Sequence, residues 1–189
     1  MRKFQQNLSN FNRGDFYHVH RKIVLNETIH DKDFSEFEFE RVKFFNCSFK
    51  KVSFSMSRAY SLAFCNCQFK NVSFGKTELS RISFQNCQLL NCGFGSADLY
   101  DVRYLNCQLN EVQFNATDSL DFKIENSQLL DVSFGGSIVD NLTIKNSTLK
   151  DIGFSKLRVC KPISKNGIVT SQEEILIQDY ASFLTEFVR

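Results

Sequence analysis

Apolar residues recur at every fifth position from Phe34 to Phe154 without an insertion. Of these 25 positions 13 are Phe, and Ser119 is the one polar exception. A second apolar or small series lies two residues earlier, in Val42, Cys47, Val52, Ser57, Leu62, Cys67, Val72, Thr77, Ile82, Cys87, Cys92 and Ala97. The other three positions of each five are mostly Asn, Ser, Gln, Lys, Asp and Glu. Neither regular element has this period. Five residues turn an α-helix by roughly 500°, which scatters successive Phe around its axis. Five residues along a straight strand put them on opposite faces. Short extended sides satisfy the pattern: residues i−2 and i point inward, and a corner then resets the phase.

A longer period counts the sides. Segments 44–54, 64–74, 84–94, 104–114, 124–134 and 144–154 align at 20 residues, and Asn46, Asn66, Asn86, Asn106, Asn126 and Asn146 form an unbroken series. Four five-residue sides therefore make one coil. The pattern predicts an all-β solenoid, a quadrilateral parallel β-helix with 20-residue coils over 24–157, with coils about 4.8 Å apart. The Asn series is expected to be structural, its amides bonding coil to coil and satisfying corner backbone groups. The small centres Ala59 and Ser119 are each followed by an oversized neighbour, Leu62 and Phe122, which conserves core volume.

Such a rod needs caps on its open strand edges. Residues 1–23 keep the phase poorly and are assigned to an N-terminal cap. Residues 158–189 are assigned to a C-terminal cap. There Asn166-Gly167 predicts a tight hairpin, and Ser171-Gln-Glu-Glu174 predicts a capping box opening a short α-helix. Leu176, Tyr180, Phe183, Leu184 and Phe187 then form an apolar stripe at helical spacing, suited to closing the last coil or to dimerisation.

Composition narrows the function. The 189 residues suffice for one domain, and a formal net charge of +2 excludes a nucleic-acid binder held by bulk positive charge. No stretch is long and apolar enough to span a membrane, and no secretory signal is visible, so a cytoplasmic location is expected. The seven Cys follow the repeat rather than a disulfide framework; those at 47, 67, 87, 92 and 107 fill the small inward slot. His18 and His20, taken with His30 and Asp31, lack a third ligand at a recognisable spacing. No metal, no cofactor and no catalytic group is therefore expected, and a solid rod lacks a catalytic pocket.

Charge is unevenly spread. Residues 44–97 carry six bases and one acid, whereas 98–140 carry two bases and eight acids. Folding the chain onto four sides puts Glu78, Asp98, Asp101, Asp118, Asp121 and Asp140 on one side, the candidate partner-binding face. A basic region near Lys50, Lys51 and Lys70 is the alternative contact.

Segments such as CSFKK (47–51), CQFKN (67–71), ADLYD (97–101) and VSFGG (132–136) resemble the pentapeptide-repeat proteins, with Phe, Cys and Val used more heavily than the usual Ala and Leu. The resemblance covers roughly 24–157 and implies a right-handed β-helix without a lumen. It further implies a non-enzymatic binding protein: either a DNA mimic that engages a type II topoisomerase such as gyrase, giving quinolone resistance or toxin immunity, or a scaffold for an unrelated protein. A homodimer through the C-terminal segment is also implied.

Overall fold

The computed structural model describes Leu8 and residues 18–165 and 168–177, those beyond Cys160 as backbone alone. Between His18 and Ile177 the described chain forms twenty strands. They stack as a parallel β-solenoid of about seven coils, followed at the C-terminal end by an antiparallel strand pair; the turn expected at Asn166-Gly167 lies outside the described residues. The register is 20 residues throughout: Leu79 lies between Ala59 and Leu99, and Leu89 between Phe69 and Leu109. Two sides of each coil form a 13-stranded sheet and the other two a seven-stranded sheet.

The inward series builds the core. Phe49 and Phe69 stack with centroids 4.9 Å apart and planes 5° from parallel, and Leu89 follows in register on Phe69. A second column runs Phe44, Phe64, Phe84, Tyr104 at 4.7–5.0 Å. A third runs Phe34, Phe54, Phe74, Phe94, Phe114, Phe134. Most rings within one coil meet edge-on, as Phe64 does with Phe69, although Phe37 and Phe39 stack. Stacked between coils and T-shaped within them, the rings use both favourable quadrupole geometries. Phe122 fills the space beside the small Ser119, packing edge-on against Phe114 and Phe134.

The corners explain the polar pattern. Every fifth residue, two after each centre, has a positive φ: Asn46 at 54°, Asn66 at 55°, Asn86 at 53°, and likewise Arg81, Asp101 and Asp121. Asn tolerates this left-handed region better than other side chains bearing a Cβ. The corner N–H groups bond to backbone carbonyls of the following coil, as Asn66 does to Gln85 and Asn86 to Leu105. They are thus satisfied without the side chains. The Asn amides bond to one another instead, Asn66 Nδ2 to Asn46 Oδ1 at 3.3 Å and Asn86 Nδ2 to Asn66 Oδ1 at 3.1 Å; Asn46 continues the column to Asn26.

The C-terminal end departs from the expected helix. Ser171–Glu174 lie in the strand Ile168–Ile177, antiparallel to Leu157–Lys165, with Ser171 opposite Ile163 and Glu174 opposite Cys160. The physical reason is the sheet edge: Leu157–Lys165 completes the parallel stack by pairing with Ile138–Asp140, and its other edge would present unpaired backbone groups. Strand pairing satisfies them, overriding a local capping signal. Leu176 therefore sits in a strand, opposite Arg158. Tyr180, Phe183, Leu184 and Phe187 lie outside the described residues.

Candidate partner-binding face

Side chains flanking each inward centre point outward, so every side of the rod carries two outward columns and a corner column. On the side centred on Leu79, Leu99, Ser119 and Val139, the first column reads His18, Glu38, Arg58, Glu78, Asp98, Asp118 in register. The second reads His20, Glu40, Tyr60, Ser80, Tyr100, Leu120, Asp140. The corner column includes Arg81, Asp101, Asp121 and Asn141.

The six acids expected on this face do share it, but they are not equivalent. Arg58 lies between Glu38 (3.2 Å) and Glu78 (3.7 Å), forming a compensated run. Asp101 pairs with Arg103 at 3.0 Å, and Asp121 accepts a hydrogen bond from Asn141 at 3.0 Å. Asp98, Asp118 and Asp140 have no ion pair among the described residues. Asp98 and Asp118 are adjacent rungs, flanked by exposed Tyr100 and Leu120. Stacked like charges repel by up to about 1 kcal/mol per neighbouring pair even in bulk water, and among the described residues neither carboxylate has a base within 4 Å.

Tyr100 reports this field. Its hydroxyl is held above the ordinary phenol value first by Asp98, then by slight burial, Asp118 and Glu78, because a phenolate would add another negative charge. Asp98→Asn should therefore lower the Tyr100 pKa toward that of an ordinary tyrosine, and added salt should do the same. A 13C-tyrosine NMR titration checks both; a Tyr100 unmoved by Asp98→Asn would contradict the field.

Two features escaped sequence reasoning. Glu111, Asp131 and Asp151 occupy the diagonally opposite corner in successive coils, each with φ between 52° and 55°. The C-terminal half thus carries acids on two opposite corners, separated by the neutral Asn106–Asn126–Asn146 and Ala116–Gly136 corners. Asking which corner each acid occupies would have found it. The other feature is an open groove of about 400 Å³ at the N-terminal half of the face, lined by His18, Glu38, Glu40, Arg58, Tyr60 and Glu78 among others.

Cys47, Cys67, Cys87, Cys92 and Cys107 are buried and all cysteines are free. Burial pushes the Cys92 thiol up to about 11, and half-buried Cys65 is also raised, by burial and then by Cys67. His30 and Asp31 bond to each other at 3.1 Å, on a different side from His18 and His20.

The sequence profile of the pentapeptide repeat region matches residues 37–114 and 60–134, together just over half of the chain. The chain belongs to the pentapeptide-repeat family. Among solved structures it is similar to a trypsin-treated variant of QnrB1, described as a plasmid-mediated fluoroquinolone resistance protein (20% identity, TM-score 0.45, covering 73% of this chain and 70% of that one). It is also similar to HetL, a pentapeptide-repeat protein involved in heterocyst differentiation regulation from the cyanobacterium Nostoc (9%, TM-score 0.25, 77% and 89%). A third is Rfr23, a pentapeptide-repeat protein of the cyanobacterium Cyanothece (12%, TM-score 0.25, 82% and 92%). No curated protein matches the chain. No helix among the described residues is long and apolar enough to cross a membrane.

Proposed function

We propose that this pentapeptide-repeat protein is a non-enzymatic binding module whose acidic C-terminal half docks a basic, DNA-binding surface of a type II topoisomerase, with DNA gyrase as the first partner to test. The observation that carries this reading is the pair of acid columns on opposite corners, together with the unpaired Asp98–Asp118 rungs between the inward-packed coils. A rigid rod with negative charge on two flanks offers a basic duplex-binding groove what a nucleic acid offers it, fixed charge at fixed spacing. Fluoroquinolone resistance, the property for which QnrB1 is named, is the corresponding cellular phenotype.

The test is a gyrase supercoiling and drug-stabilised cleavage assay with the full chain. The protein should alter supercoiling or relieve fluoroquinolone inhibition, and Asp98→Asn/Asp118→Asn should raise the concentration needed by about tenfold, equivalent to about 1.4 kcal/mol. No effect on supercoiling, DNA binding or cleavage would remove the topoisomerase reading; an effect indifferent to the double substitution would remove the acidic-face mechanism.

A second reading, a scaffold for an unrelated protein, is favoured by one observation. Lys50 and Lys70 stack in register with Lys51 on the adjoining corner, a basic patch on another side of the rod that a DNA-mimicking role does not use. A partner pulled down from the native host that is lost with Lys50→Glu/Lys70→Glu, and not with the Asp substitutions, supports it.

A further inference from the structure

We propose that His18, His20 and Glu40 form a site for a borderline divalent transition-metal cation of the zinc class. His18 and His20 flank the buried Val19 on one three-residue strand, so both imidazoles leave the same side of the sheet. Pairing of His20 with Glu40 brings the carboxylate of the next coil beside them. His20 Nδ1 lies 2.7 Å and His18 Nε2 3.9 Å from the same oxygen, Glu40 Oε2. One donor atom from each residue falls within 4.8 Å of the others, and the two rings meet edge-on with centroids 5.7 Å apart.

Two imidazoles and one carboxylate are a donor set that zinc accepts with further positions open to water. Imidazole also selects zinc, nickel and copper over magnesium and calcium, which take oxygen ligands. The carboxylate is already oriented to act as a ligand. Its other oxygen, Oε1, faces Arg41 Nε at 3.5 Å, which leaves Oε2 toward the histidines, an outer contact of the kind that tunes metal ligands. The three side chains are between a third and just over half exposed, open to an ion from solvent, and two of them, His18 and Glu40, line the groove. His18–His20 is the terminal strand of the described sheet. A cation held there ties this edge to the neighbouring coil, so binding stabilises the end of the rod by linkage.

The experiment is calorimetric titration of the full chain, free of any affinity tag, with ZnCl2 and with MgCl2 as control. We expect one Zn2+ per chain, a higher melting temperature on loading, and no comparable response to Mg2+. His20→Ala and Glu40→Gln should each weaken Zn2+ binding at least about tenfold, with circular dichroism verifying that each variant retains its β signature. His30→Ala and Cys65→Ser should leave affinity unchanged. Loaded with Co2+ instead, the protein should show ligand-field bands and no thiolate-to-cobalt charge transfer. Zn2+ binding no tighter than Mg2+, affinity that survives both His20→Ala and Glu40→Gln, or a thiolate band that vanishes with Cys65→Ser would each overturn the assignment.

Discussion

Phe94→Ala should cost the rod about 3–5 kcal/mol, read as a lower urea midpoint by circular dichroism. Phe94 is fully buried, stacked 4.7 Å from Phe74 and 4.9 Å from Phe114, with Phe84 and Tyr104 edge-on. The cost belongs at the upper end because the site cannot collapse. Axial spacing is fixed by the backbone ladder, in which Phe74 N–H donates to Gly93 O and Phe94 N–H to Gln113 O, both at 2.7 Å. The coils above and below therefore stay in place around the hole. Phe94→Leu should cost less than about 1.5 kcal/mol, since Leu already serves as a centre at 89 and 99. The neighbouring column supplies the opposite sign: Tyr104 stacks on Phe84 at 4.7 Å, yet its hydroxyl is buried without a hydrogen-bond partner. Tyr104→Phe should raise stability by about 1–3 kcal/mol. A Phe94→Ala variant within about 1 kcal/mol of the parent, far below the usual cost of such a truncation, would mean that the rings do not carry the fold.

These effects trace to the part of the structure most legible in the sequence. Burial repeats with the chain's own period, so the stacking of Phe49, Phe69 and Leu89 follows from spacing alone. The Asn series is equally visible, but its cause is not. The amides can be read as partners for corner backbone groups, whereas those groups find carbonyls in the next coil and the amides bond one another, at a corner that shares its positive φ with all the others. That is a property of the backbone path, which no side-chain pattern prints directly. The same limit applies to chemistry: Glu40 lies one coil from His20, so the third donor stands 20 residues away rather than within a local motif. It applies again at Ser171–Glu174, where a capping signal is local and the open sheet edge that overrides it is made by residues 157–165. Among the acids, sequence position indicates the side but not the compensation; only distances separate Glu78, held by Arg58, from Asp98 and Asp118.

The proposed partner-binding face depends on the rotational phase of the coils, and phase can be altered without removing any of its acids. Removing residues 46–65 takes out one whole coil. Phe45 then leads into Asn66, every later centre keeps its side, and all six acids of the face stay on their columns, with Arg58 the one charged residue of the face that is lost. Removing residues 106–110 joins Leu105 to Glu111, and the centres still follow one another at intervals of five, so an apolar core remains available. Asp118, Asp121 and Asp140, however, are carried one side around the rod, away from Asp98 and Asp101. If partner binding reads the acidic face as a surface, the 20-residue deletion should retain the gyrase effect within about threefold, while the five-residue deletion should weaken it by about tenfold or more. Circular dichroism should show β structure in both, and supercoiling titrations should supply the comparison. The five-residue deletion removes one acid-free segment, so a loss of activity cannot be charged to missing carboxylates. Equal potency for the two shortened chains, whose net charges differ by the three bases lost with residues 46–65, would mean that the partner reads some other side, and the acidic face would lose its role.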